Sequence, residues 1–135
     1  MNWIEVGEAC VAAIIVASLT DWLFFGALFH NHYSEYPEVW RLPADSKDET
    51  KAVIRTAIVC TLTPLLFVLG CAYLNVITAV PLAVLAPGLW AMTAVPHLIS
   101  NYIFMKLHPL ILVAHALGWL ARFVVSALAV GIFIK

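Results

Sequence analysis

Four stretches of this sequence are almost entirely apolar, and each exceeds the roughly 20 residues that an α-helix needs to cross a bilayer. They cover about residues 3–29, 52–75, 81–104 and 109–134. Because the hydrocarbon interior offers no water to the backbone, a spanning segment must satisfy its hydrogen bonds internally. The stretches lack the alternation of polar and apolar residues that marks the strands of a membrane barrel. The sequence therefore predicts four transmembrane helices.

Composition supports a membrane protein and argues against other classes. Apolar residues occupy 64% of the 135 positions, and only 7 basic and 8 acidic residues are present. A soluble domain of this size could not cover so much apolar surface. A net charge of −1 without a basic stripe argues against nucleic-acid binding. Cys10, Cys60 and Cys71 lie in apolar segments without Cys-x-x-Cys spacing, so we expect neither a disulfide framework nor a zinc ribbon.

The fold class that we predict is all-α, a single four-helix transmembrane bundle spanning residues 1–135. Ser46 and Glu49 have the spacing of a capping box, which predicts that the second helix begins near Ser46. Short connections between the later helices favour antiparallel neighbours. Prolines inside helices predict kinks at Pro64, Pro87 and Pro96. The predicted helices cover about residues 3–29, 46–75, 81–104 and 109–134, with a polar loop at 30–45.

Basic residues near the helix ends predict the orientation in the membrane. On one side lie Arg41, Lys47, Lys51, Arg55 and Lys106. The other side has only Lys135 and the terminal amine. The positive-inside rule then places loop 30–45 in the cytoplasm and both termini outside. We expect a multi-pass protein of a bacterial-type inner membrane.

Five polar or charged side chains inside the predicted helices form the candidate site. A charge at mid-bilayer costs roughly 2.5–3.5 kcal/mol, so such residues usually face the bundle interior. At a rise of about 1.5 Å per residue, Asp21, His97 and His115 lie roughly 9–12 Å from the cytoplasmic helix ends. Asn101 lies one turn from His97 on the same helix face. Arg122 lies two turns from His115. We call this set the polar layer: Asp21, His97, Asn101, His115 and Arg122.

Three interpretations of the polar layer remain open at this stage. In the first, Asp21 and Arg122 form a buried ion pair and the other side chains bond across helices, purely for packing. In the second, the layer binds a proton, an ion or a small polar head group, and histidine makes such a site sensitive to pH rather than redox-active. In the third, His97 and His115 ligate haem or a metal ion. Neither histidine belongs to a recognised ligand motif, so we expect no metal and no cofactor.

The sequence favours a membrane protein without enzymatic activity. It has no Gly-x-Ser-x-Gly elbow, no phosphate-binding loop and no His-Glu-x-x-His motif. The alternatives are a small oligomeric, proton-sensitive transporter or channel protomer, an accessory subunit of a larger membrane complex, and an intramembrane enzyme acting on a lipid or quinone. The expected partners are the lipid bilayer and either further copies of this chain or another membrane subunit, with no nucleic acid.

Several short stretches resemble one known family. They are Met1-Asn2-Trp3, Asp21-Trp22-Leu23-Phe24-Phe25-Gly26-Ala27-Leu28-Phe29, Asn101-Tyr102-Ile103-Phe104 and His115-Ala116-Leu117-Gly118-Trp119. Together they resemble the small membrane proteins grouped as domain of unknown function 1761. The resemblance implies a four-helix integral membrane architecture. It implies no reaction and no catalytic residue.

Overall fold

The structure is a computed structural model that describes residues 2–39 and 47–135. Within these two ranges it contains four long helices and no strand. They are α1 (Trp3–Leu28), α2 (Lys47–Tyr73), α3 (Ala79–Phe104) and α4 (Pro109–Phe133). Each is long and apolar enough to cross a membrane. The predicted all-α four-helix bundle is therefore confirmed. The predicted cap at Ser46 lies outside the described residues.

Local chemistry explains where several helices begin and end. At the start of α1 the Asn2 side chain accepts a hydrogen bond from the Ile4 amide at 3.1 Å. At the start of α4, His108 Nδ1 accepts one from the Leu110 amide, also at 3.1 Å. These acceptors satisfy amide groups that the first turn of a helix leaves without partners. After α2 the chain turns at Asn75, whose φ of 55° is a left-handed conformation that asparagine tolerates.

Three irregularities interrupt the helices. In α2 the regular helix stops at Cys60 and resumes at Leu62. Pro64 follows four residues after Cys60 and has no amide hydrogen to bond its carbonyl, which accounts for this break. In α3 a π-helical turn, Trp90–Ala94, lies between two prolines. In α1 a π-helical turn, Trp22–Leu28, follows directly after Asp21 without a proline.

The core forms around α4, which packs against each of the other three helices. The most extensive contact is between α4 and α1, where Ala9, Ala13 and Ala17 are buried at four-residue spacing. Small side chains let two helix backbones approach closely. Members of the core from all four helices include Val6, Ala13, Val68, Leu82, Ala86 and Val130.

The first half of α2, Lys47–Cys60, differs from the rest of the bundle because none of its residues is buried. Its main packing contact is with its own continuation beyond Thr61. Large apolar side chains such as Ile54 and Ile58 are more than half exposed there. This half-helix therefore projects apolar surface away from the bundle.

Candidate functional site

Asp21 and Arg122 form an ion pair between α1 and α4. Arg122 Nε donates to Asp21 Oδ1 at 2.9 Å and to Oδ2 at 3.0 Å, and Arg122 Nη2 donates to Oδ2 at 2.8 Å. The arginine side chain is 5% exposed and the aspartate side chain 20%. The guanidinium carbon also lies 4.8 Å from the centre of the Trp119 ring, within the range of a cation–π contact. Both charges are thus neutralised inside the bundle.

The buried polar groups around this pair are hydrogen-bonded. Among the residues that the structure describes, every buried side-chain nitrogen or oxygen has a hydrogen-bond partner. Ser126, which is completely buried, donates from Oγ to the carbonyl of Arg122 at 2.7 Å. This arrangement has the features expected of a structural ion pair, because a buried pair is stable only when its remaining hydrogen-bonding groups are also satisfied.

His115 lies near the pair on α4 and contacts two aromatic residues. The Tyr33 hydroxyl and His115 Nε2 are 3.1 Å apart and joined by a hydrogen bond. The Phe25 ring lies 4.7 Å from the imidazole, centre to centre. Tyr33 belongs to a short 3₁₀ turn, His30–Ser34, that follows α1. Burial raises the pKa of Tyr33 to about 12, so its hydroxyl keeps its proton at physiological pH.

His97 and Asn101 lie apart from this group, on an outward face of α3. His97 is exposed and Asn101 half-buried, and Asn101 Nδ2 donates to His97 Nε2 at 3.3 Å. Ser100, also exposed, shares this face, because residues three and four apart are neighbours on a helix. We call His97, Ser100 and Asn101 the outer stripe.

The structure therefore divides the polar layer into two groups. Asp21, His115 and Arg122 lie between α1 and α4, whereas His97 and Asn101 belong to the outer stripe. The two histidines take part in separate contacts, one with Asn101 and the other with residues near the end of α1.

Two surface depressions lie near these groups, and neither is lined by a residue of the Asp21–Arg122 pair. An apolar groove of about 250 Å³ runs between α3 and α4, and its walls include Trp90 and Leu112. The Trp90 indole also donates a hydrogen bond across these helices to the Ala116 carbonyl at 2.9 Å. An open depression of about 470 Å³ lies at the helix ends, beside Lys106.

A third polar group, absent from the sequence-based site, lies at the same end of the molecule. His32, Glu35 and His108 place one potential metal-ligand atom each within 4.8 Å of one another. His32 and Glu35 come from the segment after α1, and His108 precedes α4. Sequence contained a weak signal for this cluster, the His-x-x-Glu spacing at 32 and 35 in a loop predicted to share its side of the membrane with His108. We call these three residues the His–Glu–His cluster.

Fold and exposed apolar surface together define the class, a multi-pass membrane protein with four helices. Comparisons with protein-family models, with curated proteins and with solved structures found no match. Membership of domain of unknown function 1761 therefore remains a prediction that rests on the short stretches quoted above.

Proposed function

We propose that this protein is the protomer of a homo-oligomeric, proton-sensitive membrane channel or transporter. The observation that carries the proposal is the outer stripe. His97 lies seven residues before Phe104, the last residue of α3, which corresponds to a depth of about 10 Å. Polar side chains at that depth normally face protein or water, because lipid cannot satisfy their hydrogen bonds.

A second copy of the chain is the occupant that best fits this stripe. Histidine and asparagine each contribute both hydrogen-bond donors and acceptors, so the stripe is complementary to itself. A two-fold axis brings the same patch of two subunits together, which is the arrangement of most small homo-oligomers. The serine hydroxyl adds a small donor and acceptor that allows close approach of the helices.

Placing the pathway between subunits agrees with the packed interior of one subunit. The Asp21–Arg122 pair joins α1 to α4, and neither surface depression described above is lined by either residue. A pathway lined by His97 would offer a proton relay, because an imidazole accepts a proton at one ring nitrogen and donates one from the other.

The second candidate is an accessory subunit of a larger membrane complex. The observation that favours it is the first half of α2, Lys47–Cys60, which buries none of its residues against this chain. An apolar helix that projects from the bundle can pack against a different membrane protein. In that case the oligomer would contain another chain, and proton movement would not require His97.

We propose the orientation and the family on the grounds given by the sequence. Five basic residues on one side support a bacterial-type inner membrane protein with loop 30–45 in the cytoplasm and both termini outside. The four short stretches support the proposed kinship with domain of unknown function 1761.

Crosslinking tests whether the stripe is an interface. Cys10, Cys60 and Cys71 would first be replaced, and Ser100→Cys introduced in that background. We expect oxidation to produce covalent dimers in native membranes. Leu128→Cys is the matched control, because Leu128 is 57% exposed on α4 and lies away from the stripe. Equal crosslinking at both positions, or none at Ser100, would contradict a specific interface.

Proton flux tests the activity. The full chain would be reconstituted into liposomes with a trapped pH-sensitive dye, and a pH gradient applied. We expect flux that falls severalfold in His97→Ala and is unchanged in His30→Ala, which alters an exposed histidine outside the four long helices. Dimers without flux would contradict transport and favour the accessory subunit.

A further inference from the structure

The His–Glu–His cluster joins two segments that are distant in sequence. His32 Nδ1 lies 2.6 Å from Glu35 Oε1, and His108 Nε2 lies 3.5 Å from Glu35 Oε2. The two imidazole rings are stacked with centres 4.6 Å apart and planes inclined by 6°. The glutamate carboxylate thus contacts both histidines, and the three potential ligand atoms lie close together.

This set of donors matches a particular class of metal ion. Two imidazoles and one carboxylate are ligands suited to Zn²⁺ and similar divalent transition metals, and a water molecule can complete a tetrahedron. The cluster has one formal negative charge when both histidines are neutral, so it attracts a cation. All three side chains are at least partly exposed, which allows an ion to enter from solvent.

We propose that His32, Glu35 and His108 form a binding site for Zn²⁺ or a similar divalent transition metal at the membrane–water boundary. The metal would join the turn after α1 to the start of α4. These segments lie on the side of the membrane that also contains the predicted polar loop. The proposal is independent of the outer stripe and of proton transport.

Metal binding requires a change in the hydrogen bonds of His108. Nδ1 of this ring accepts the Leu110 amide at 3.1 Å, and only Nε2 faces Glu35. A neutral imidazole that ligates through Nε2 keeps its proton on Nδ1, so Nδ1 can no longer accept that amide. The ion therefore replaces a helix cap with a ligand bond. It also replaces the direct contact between His32 and Glu35, because both side chains then coordinate the ion.

Cobalt titration tests the site, because Co²⁺ occupies zinc sites and absorbs visible light when it is tetrahedral. The full chain would be purified in mild detergent with an affinity tag that contains no histidine. We expect one Co²⁺ per chain, displaced by stoichiometric Zn²⁺. In Glu35→Gln and His108→Ala the affinity should fall at least about tenfold, since even outer-sphere partners of metal ligands contribute that much.

His30→Ala and His97→Ala are the controls, since neither residue belongs to the cluster. Circular dichroism of every variant would verify helical content, and Glu35→Gln retains the size of the side chain. No stoichiometric binding by the folded wild-type protein would overturn the proposal. Equal weakening in the control variants would overturn it as well.

Discussion

The Phe25 ring occupies the space that a side chain at Gly118 would need, because a β-carbon built on Gly118 would lie 2.7 Å from Phe25 Cζ. This contact holds the π-helical turn of α1 against the middle of α4. The same ring lies 4.7 Å from the His115 imidazole, centre to centre. A glycine on α4 thus allows the close approach that brings the polar groups of α1 and α4 together.

We expect Gly118→Ala to destabilise the protein by about 1–3 kcal/mol, the usual cost of overfilling a packed site. The ring has little room to move, because His115 lies beside it. Thermal unfolding in detergent measures the effect. Gly131→Ala on the same helix is the control, since its new β-carbon would meet only Leu82 Cδ1 at 3.6 Å, an ordinary contact. Equal melting temperatures for the two variants would contradict the packing argument.

The Asp21–Arg122 pair predicts strong coupling in a double-mutant cycle. Asp21→Leu and Arg122→Leu should each destabilise the protein by about 3–5 kcal/mol, because each leaves one charge buried without its partner. The double variant should be much more stable than the sum of the two losses implies.

A matched control for this cycle is the Asp48–Lys51 pair, which is 71% and 65% exposed at its side chains. An exposed pair of this kind contributes about 0–1 kcal/mol. Unfolding in denaturant measures the free energy of unfolding of every variant. Additive losses for Asp21 and Arg122 would show that their contact does not couple them energetically.

The sequence predicted the four helices well because the length of an apolar segment decides whether it can span a membrane. It also placed Asp21 and Arg122 close enough to pair, since depth along a helix follows from residue count. It did not predict the outward position of His97, because depth says nothing about rotation around the helix axis. The π-helical turn at Trp90–Ala94 lies before His97 and changes its direction further, because one additional residue in a turn rotates all later faces by about 100°.

A different reason explains why the sequence did not predict the contact of Tyr33 with His115. The two residues are 82 positions apart, and Tyr33 belongs to a 3₁₀ turn whose direction depends on how α1 ends. The His–Glu–His cluster depends on the same turn. Helical periodicity carries no information about either.

Tyr33 should ionise at a higher pH than an unperturbed tyrosine does. Its pKa of about 12 exceeds the ordinary value of 10.0, because burial disfavours the charged form. The stability that follows from this shift is fully present below pH 10 and is lost as the pH rises towards 12. Stability falls as the pH rises because the unfolded chain loses this proton at a lower pH than the folded chain does.

Absorbance of the tyrosinate form measures this titration in the four-tyrosine chain. The difference between wild type and Tyr33→Phe should show a single group titrating near pH 12. Tyr36→Phe is the control, since Tyr36 is 39% exposed. A Tyr33 difference curve centred near pH 10 would contradict the buried contact with His115.

The proposed orientation can be tested by labelling single cysteines with a membrane-impermeant thiol reagent. Asn31 follows α1 and Thr78 precedes α3, so the proposed topology puts them on opposite sides of the membrane. Both are exposed, and the Thr78 side chain makes no capping hydrogen bond, so replacement should disturb little. In intact spheroplasts of cells that produce a chain lacking the native cysteines, Thr78→Cys should react. Asn31→Cys should react only after the membrane is permeabilised, because basic residues near its loop favour the cytoplasm. The opposite pattern would reverse the topology and place the His–Glu–His cluster outside the cell.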